Sequence, residues 1–344
     1  MPRSVYFVST LLHLFTATAI AAERQNETAI LVFIDQPEGR PPQIFELVKQ
    51  WESSPFREQH LFYGRLKGGL SKLKKRRQLF RDIDGLINRL QPEHIFVGND
   101  RRIEFQYAMH VAQKNGTPAI GHYMDEGTFT YVGRKASSGI GDVVVDNGLK
   151  KLFYGLWWKN PATVGASSWI RDVHVAFPEL INPLLKLKAV HCLTAASFRS
   201  EPLKQLSKMM LQENAVTDEQ VKALDVLITL PHESLFEKDS GYKDKILALI
   251  STLKGAIAVK YHPRNSCEDA LDLQQYGVKL LPSSVSYEAI LPLLRNDVTV
   301  IGDVSSTLLL TRWLRPEIET ISYRNGTENI KFEKLFSDLG IQVR

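Results

Sequence analysis

The sequence has almost no cysteine. Cys192 and Cys267 are the only two in 344 residues, lie far apart and form no CxxC pair, which excludes a disulfide framework and a cysteine-ligated zinc site. A reducing cytoplasm is the default compartment. Long apolar runs are also missing: outside one interrupted stretch at the N-terminus, nothing approaches the roughly 18 apolar residues of a membrane span. Glycine (21) and proline (16) are at ordinary usage, with no internal repeat and no low-complexity segment, so fibrous and disordered classes drop out. Charge of one sign is scarce too. Forty-three Lys and Arg against 38 Asp and Glu leave +5, too mild for a coat of nucleic acid but suited to an acidic small substrate or an anionic membrane surface.

What remains is ordinary globular material. With 44% hydrophobic and 24% charged residues, a chain of this length supports two domains, each with its own core. The first segment imitates a secretory leader: Met1-Pro2-Arg3, then an apolar stretch from Val5 to Ala22 ending in small residues. Ser9, Thr10, His13, Thr16 and Thr18 interrupt it. It splits into a β-rich run over 4–8 and a helix-patterned run over 11–23, and a second β run, Thr28 to Asp35, follows at once. That spacing favours a strand, helix and strand over a removable leader.

Strand-like and helix-like segments then alternate. Helices are expected over 43–51, 71–90 and 102–114, and strands over 60–63, 93–98 and 117–124. The pattern loosens over 160–189 and returns at Asp225, with strands over 225–230, 256–261, 278–281, 298–302 and 318–323, and helices over 242–254, 286–295 and 306–314. The expected fold is α/β, with two Rossmann-type, nucleotide-binding-type domains facing a cleft, over 1–185 and 225–344, joined by a helical linker over 186–224. The strands are too many for an eight-stranded barrel.

Three short segments place polar residues just beyond a buried strand, where parallel sheets present their ligands. Asp125-Glu126-Gly127 pairs two carboxylates with a residue free to adopt unusual backbone angles. One acid of such a pair can have its pKa raised towards neutrality and serve as a base, although a capped turn with two solvated acids has the same sequence. Lys260-Tyr261-His262-Pro263-Arg264 gathers positive charge around an imidazole that the following proline holds extended, an arrangement suited to phosphate. Gly302-Asp303-Val304-Ser305-Ser306-Thr307 brings hydroxyls and free N–H groups to a helix start, where Ser and Thr are also the ordinary caps. Glu288, near the start of the helix between the last two segments, could accept hydrogen bonds from a ribose or simply cap and pack.

In this order and at these separations, Asp125-Glu126-Gly127, His262-Pro263 and Ser305-Ser306-Thr307 resemble the D/E-D/E-G, HP and S-S/T motifs of bacterial sialyltransferases, the capsular polysialyltransferase-like group in particular. The opening Phe7-Val-Ser-Thr-Leu-Leu-His-Leu14 is similar to their first strand and helix. The resemblance implies a GT-B enzyme that transfers sialic acid from CMP-sialic acid with inversion and uses no metal or other cofactor. It implies Asp125 as the general base and His262 as donor to the CMP phosphate. Pro263, Ser305 and Ser306 would complete the CMP site with Glu288 at the ribose, and Glu126, Gly127, Lys260, Arg264 and Thr307 stand as secondary candidates.

The basic run Lys72, Lys74, Lys75, Arg76, Arg77 and Arg81 reads as a solvated helix face, as a dock for anionic lipid at the inner face of a membrane, or as a hold for a polyanionic glycan acceptor. The expected partners are therefore a nucleotide-sugar donor and a glycan, not nucleic acid, in the cytoplasm or peripheral to its membrane. Transfer of another CMP-activated nonulosonic or 3-deoxy acid sugar is the nearest alternative. A non-catalytic sugar- or nucleotide-binding protein is the alternative from another class.

Overall fold

The computed structural model describes residues 1–66, 68, 70–133, 155, 157–236, 238–303, 305–323 and 330–344. They form two compact units, Met1–Leu193 and Thr194–Arg344. Val304 of the third motif, and residues 134–154 and 156 of the segment read as acceptor loops, lie outside the described residues.

The first unit carries β1 (Arg3–Val8), α1 (Leu11–Glu23), β2 (Thr28–Phe33), α2 (Gln43–Lys49), β3 (Phe56–Leu61), α3 (Leu70–Leu90), β4 (His94–Val97), α4 (Ile103–Lys114), β5 (Ile120–Met124), α5 (Thr128–Val132), β6 (Ile170–Val175) and β7 (Ala189–Cys192). The strands form one parallel sheet in the order β3-β2-β1-β4-β5-β6-β7. Five of six positions in both β1 and β2 are buried, the near-continuous apolar signature of strands covered on both faces. The interrupted N-terminal stretch is thus a central strand followed by a helix. Its polar residues bond locally: exposed Thr10 Oγ1 accepts the His13 N–H at 3.2 Å as the N-cap, and buried Thr18 Oγ1 donates to the Leu14 carbonyl at 2.8 Å.

A row of rings crosses the middle of this sheet. Tyr6 stacks on Phe96 at 4.4 Å between centroids, Phe96 on His122 at 4.2 Å, and His174 on His191 at 4.7 Å. His94 Nδ1 is 2.9 Å from His122 Nε2, and His122 Nδ1 is 3.1 Å from His174 Nε2. A neutral imidazole has one donor and one acceptor nitrogen, so the middle ring, His122, donates to one neighbour and accepts from the other only while uncharged. Burial accordingly pushes His122 down to about 2 and His174 to about 3.

The second unit continues with α6 (Glu201–Gln212), α7 (Asp218–Lys222), β8 (Val226–Thr229), α8 (Glu233–Phe236), α9 (Tyr242–Thr252), β9 (Ile257–Lys260), β10 (Lys279–Leu281), α10 (Tyr287–Ile290), β11 (Thr299–Gly302), α11 (Ser306–Leu314), β12 (Glu319–Ser322), α12 (Ile330–Asp338) and β13 (Gln342–Val343). Its parallel sheet runs β10-β9-β8-β11-β12-β13. Val226, Ile228, Val259 and Ile301 centre its core, against Ile246 and Ile250 of α9.

Several expected boundaries move. The region of loosened pattern contains β6, and β7 follows at its end, so the first unit reaches Leu193 rather than residue 185. The segment expected as a linker over 186–224 divides: β7 completes the first sheet, while α6 and α7 pack within the second unit. The single helix expected over 286–295 is the short α10 and a 3-10 turn at Leu291–Leu293, with Pro292 inside it; proline denies the helix a backbone donor. β3 begins at Phe56, earlier than the strand expected from His60.

Candidate active site

In each sheet the strand order reverses at one point, between β1 and β4 in the first unit and between β8 and β11 in the second. Ligands of open α/β sheets bind beyond the carboxyl ends of the strands at such a point. All three motifs lie on those edges.

In the first unit, Gly127 has φ +83° and ψ −138°, a combination that only glycine adopts without strain. The reversal it allows folds α5 back over Asp125, which is fully buried. Asp125 Oδ1 accepts from the Gly127 N–H at 2.8 Å and the Thr130 hydroxyl at 2.9 Å, and Oδ2 from the Ala176 N–H at 2.9 Å and the Tyr131 hydroxyl. A carboxylate has about four acceptor sites, and all are taken. Burial raises the Asp125 pKa against the pull of these four bonds, but no lone pair is left for an acceptor hydroxyl. Asp125 thus ties the ends of β5 and β6 to α5 in this structure. Glu126 is the half-buried acid of the pair. Its N–H donates to Thr130 Oγ1 at 3.1 Å, and its Oε1 accepts from Asn99 Nδ2 at 3.2 Å. Asn99 follows β4 at the reversal point and was not singled out from sequence, although a strand ending in Asn-Asp marks the place.

In the second unit, Lys260 pairs in register with Thr229, and Thr229 with Gly302. The β9 and β11 ends are thus two strand spacings, about 10 Å, apart. His262 is half-buried, and its Nδ1 accepts from the Arg264 N–H at 3.2 Å. That bond places the ring proton on Nε2, as a donor. Burial and the nearby Arg264 lower its pKa, so the ring is neutral at pH 7. His232, just beyond β8, is bound the same way: its Nδ1 accepts from the Ser234 N–H at 3.2 Å, and its ring meets His262 edge to face at 5.3 Å. A second strand-end histidine was readable as Pro231-His232 and was missed.

Ser305 is the N-cap of α11, with its Oγ accepting from the Thr307 N–H at 3.0 Å, and Ser306 is exposed at the first turn. Thr307 Oγ1 is 2.9 Å from Thr229 Oγ1, which anchors the turn to β8. Lys260 is buried, donates to the carbonyls of Tyr261 at 3.3 Å and Ser283 at 3.1 Å, and is pushed down to about 8 by desolvation. It acts on the edge as a field rather than as a direct contact. Glu288 is half-buried, and its pKa is raised by burial against the opposing Lys260 ammonium. Pro263 and Arg264 are exposed. The fold thus brings His262, Ser305, Ser306, Thr307, Lys260 and Glu288 to one edge.

The basic run occupies the start of α3, but its residues do not form a single face. Arg76 turns inward, with Nη2 donating to the Gly64 carbonyl at 3.2 Å and Nη1 4.0 Å from Glu104, so it leaves the expected patch. Lys75 pairs with Glu38 at 2.8 Å, and Arg81 donates to Gln78. Lys72, Lys74 and Arg77 stay exposed. No helix among the described residues is long and apolar enough to cross a membrane.

A family model described as alpha-2,8-polysialyltransferase matches residues 4–324. No curated protein matches the sequence. Among solved structures, an alpha/beta-galactoside alpha-2,3-sialyltransferase from Photobacterium phosphoreum is 12% identical, with a TM-score of 0.61 over 100% of this chain and 98% of that one. The UDP-GlcNAc 2-epimerase of Methanocaldococcus jannaschii is 13% identical, with a TM-score of 0.55 over 100% and 89%. At these identities the likeness is one of fold: α/β, of the GT-B kind, with two Rossmann-like domains.

Proposed function

The chain belongs to the alpha-2,8-polysialyltransferase family and is a glycosyltransferase of sialic acid, and from that premise we propose that it uses CMP-sialic acid, inverts the anomeric centre and needs no metal. The second unit would hold the donor. His262 Nε2–H and the Ser305 and Ser306 hydroxyls, with the free N–H groups of α11, meet the CMP phosphate, and Glu288 meets the ribose. Donors aimed at the phosphate stabilise the charge that grows on it as the glycosidic bond breaks, which is the task a metal would otherwise perform. The first unit would supply the base. Glu126 takes that role in place of Asp125, deprotonating the acceptor hydroxyl while Asp125 and Asn99 fix its position. Lys72, Lys74 and Arg77 would attract a polyanionic acceptor or an anionic membrane surface in the cytoplasm.

The observation that carries this reading is the His262 ring, held by the Arg264 N–H in the tautomer that donates outward, on the same edge as the α11 N-terminus. The experiment is CMP release from CMP-sialic acid, with and without glycan acceptors and with EDTA, alongside a screen of other CMP-sugars, UDP-sugars and GDP-sugars. Turnover with CMP-sialic acid in EDTA, lost in His262→Ala, is the expected result. Turnover unchanged in His262→Ala would remove the donor-site assignment, and preference for another CMP-activated acid sugar would move the donor to that class.

A further inference from the structure

We propose that the first unit carries a second anion site, a pocket at the amino ends of β1, β2 and β3 that takes a small phosphate monoester. The pocket has a volume of about 540 Å³, within the roughly 300–1,000 Å³ of small-molecule sites. Arg3, Arg57 and Arg89 surround it, Glu58 lies among them, and Ile30 and Leu90 line its inner end. It stands at the opposite end of the strands from the Asp125–Gly127 edge.

The three guanidiniums are held differently. Arg89 makes two bonds to Glu58, at 3.0 and 2.7 Å, and Arg3 donates Nη1 to the Leu90 carbonyl at 2.7 Å. Arg57 is exposed and has no hydrogen-bond or ion-pair partner among the described residues. It is also the odd residue of a bulge: Ala29 pairs with Phe56 and Ile30 with Glu58, so Arg57 has no place in the ladder. Bulges re-aim a side chain at the cost of local pairing, and this one puts a third cation where two already stand. Three guanidiniums and one carboxylate leave an excess of two positive charges around one hollow, which matches the ≈ −1.5 to −2 of a phosphate monoester. The guanidinium fork fits phosphate oxygens two at a time.

The site is independent of the donor, so the test keeps the two apart. Thermal unfolding would be followed with inorganic phosphate and with glycerol 3-phosphate at constant ionic strength, in wild type, Arg57→Gln and Ser306→Ala. At ten times Kd the wild-type midpoint should rise by about 3–5 °C, Ser306→Ala should keep that rise and Arg57→Gln should lose most of it. No rise in wild type, or a full rise in Arg57→Gln, overturns the proposal. Arg57 has no hydrogen-bond or ion-pair partner among the described residues, so its loss leaves the scaffold intact. Sedimentation with phosphatidylcholine vesicles doped with phosphatidic acid identifies the source. Binding that depends on Arg57 and resists glycerol 3-phosphate makes the ligand a lipid headgroup, whereas competition by glycerol 3-phosphate makes it a soluble ester.

Discussion

Acidification from pH 7 to pH 5 should remove most of the stability of the first unit, and the histidines are the reason. His122 is pushed down to about 2 and His174 to about 3 by burial, with neighbouring histidines and Arg24 adding to it, and His13 is pushed to about 3 by burial and Arg102. A free histidine titrates near 6.5. The unfolded chain therefore takes up these protons first. Stability is full above about pH 6.5 and falls as the pH drops towards the folded values. At pH 5 each of the three costs about 2 kcal/mol, together about 6 kcal/mol against the 5–15 kcal/mol typical of a domain. Urea unfolding followed by circular dichroism at half-unit pH steps gives the slope, expected near three protons, or about 4 kcal/mol per pH unit, between pH 6 and 5. His122→Phe should lower that slope by about one proton. A slope below one proton in wild type, or ring signals of His122 and His174 that titrate near pH 6 in the folded protein, would refute the argument.

The two acids of the pair should fail in different ways. Glu126→Gln is expected to lower the rate of transfer by about 10²–10⁴ with an unchanged melting temperature, while Asp125→Asn, which turns an amide towards donors, should destabilise by about 2–3 kcal/mol; the two variants need only a rate and a melt. Gly302→Ala would place a Cβ 2.6 Å from Thr229 Oγ1 and 3.1 Å from Leu308 Cδ2, disturbing the hydroxyl that anchors the α11 turn, and calorimetry with CMP should show about tenfold weaker binding (about 1.4 kcal/mol). Replacing Lys72, Lys74 and Arg77 with Gln should reduce binding to anionic vesicles or polyanionic acceptor by about 1 kcal/mol per cation, more at low salt than at high; binding that ignores both the substitutions and salt would clear α3 of the role.

Apolar periodicity revealed the strands whose interiors are apolar. β1, β2 and β4, with β8, β9 and β11 of the second sheet, are legible because Val, Ile, Leu, Phe and Ala dominate them. β6 and β7 were not legible, β6 for a physical reason that also governs the acid response. Ile170–Val175 reads IRDVHV, with Asp172 and His174 buried and His174 satisfied by His122 across the strands, whereas Ala189–Cys192 reads AVHC and is an exposed edge strand with no apolar interior to reveal it. Hydropathy scores a histidine as polar whether it faces water or another imidazole. Only the pairing of His122 with His174, 52 residues apart, makes the burial affordable, and that pairing is a property of the sheet.

The acid pair shows the same limit at the site. Two adjacent carboxylates followed by glycine announce a strand end with chemistry available, and the sequence carries that much. How each acid is held depends on what returns to meet it. Asp125 continues the inward series of β5 and is met by Thr130 and Tyr131 from α5 and by Ala176 from the far end of β6, whereas Glu126 Oε1 accepts from the Asn99 amide beyond β4. Two identical groups are thus held differently by their environments, and the partners that make the difference come from α5, β6 and the end of β4, one of them 51 residues away.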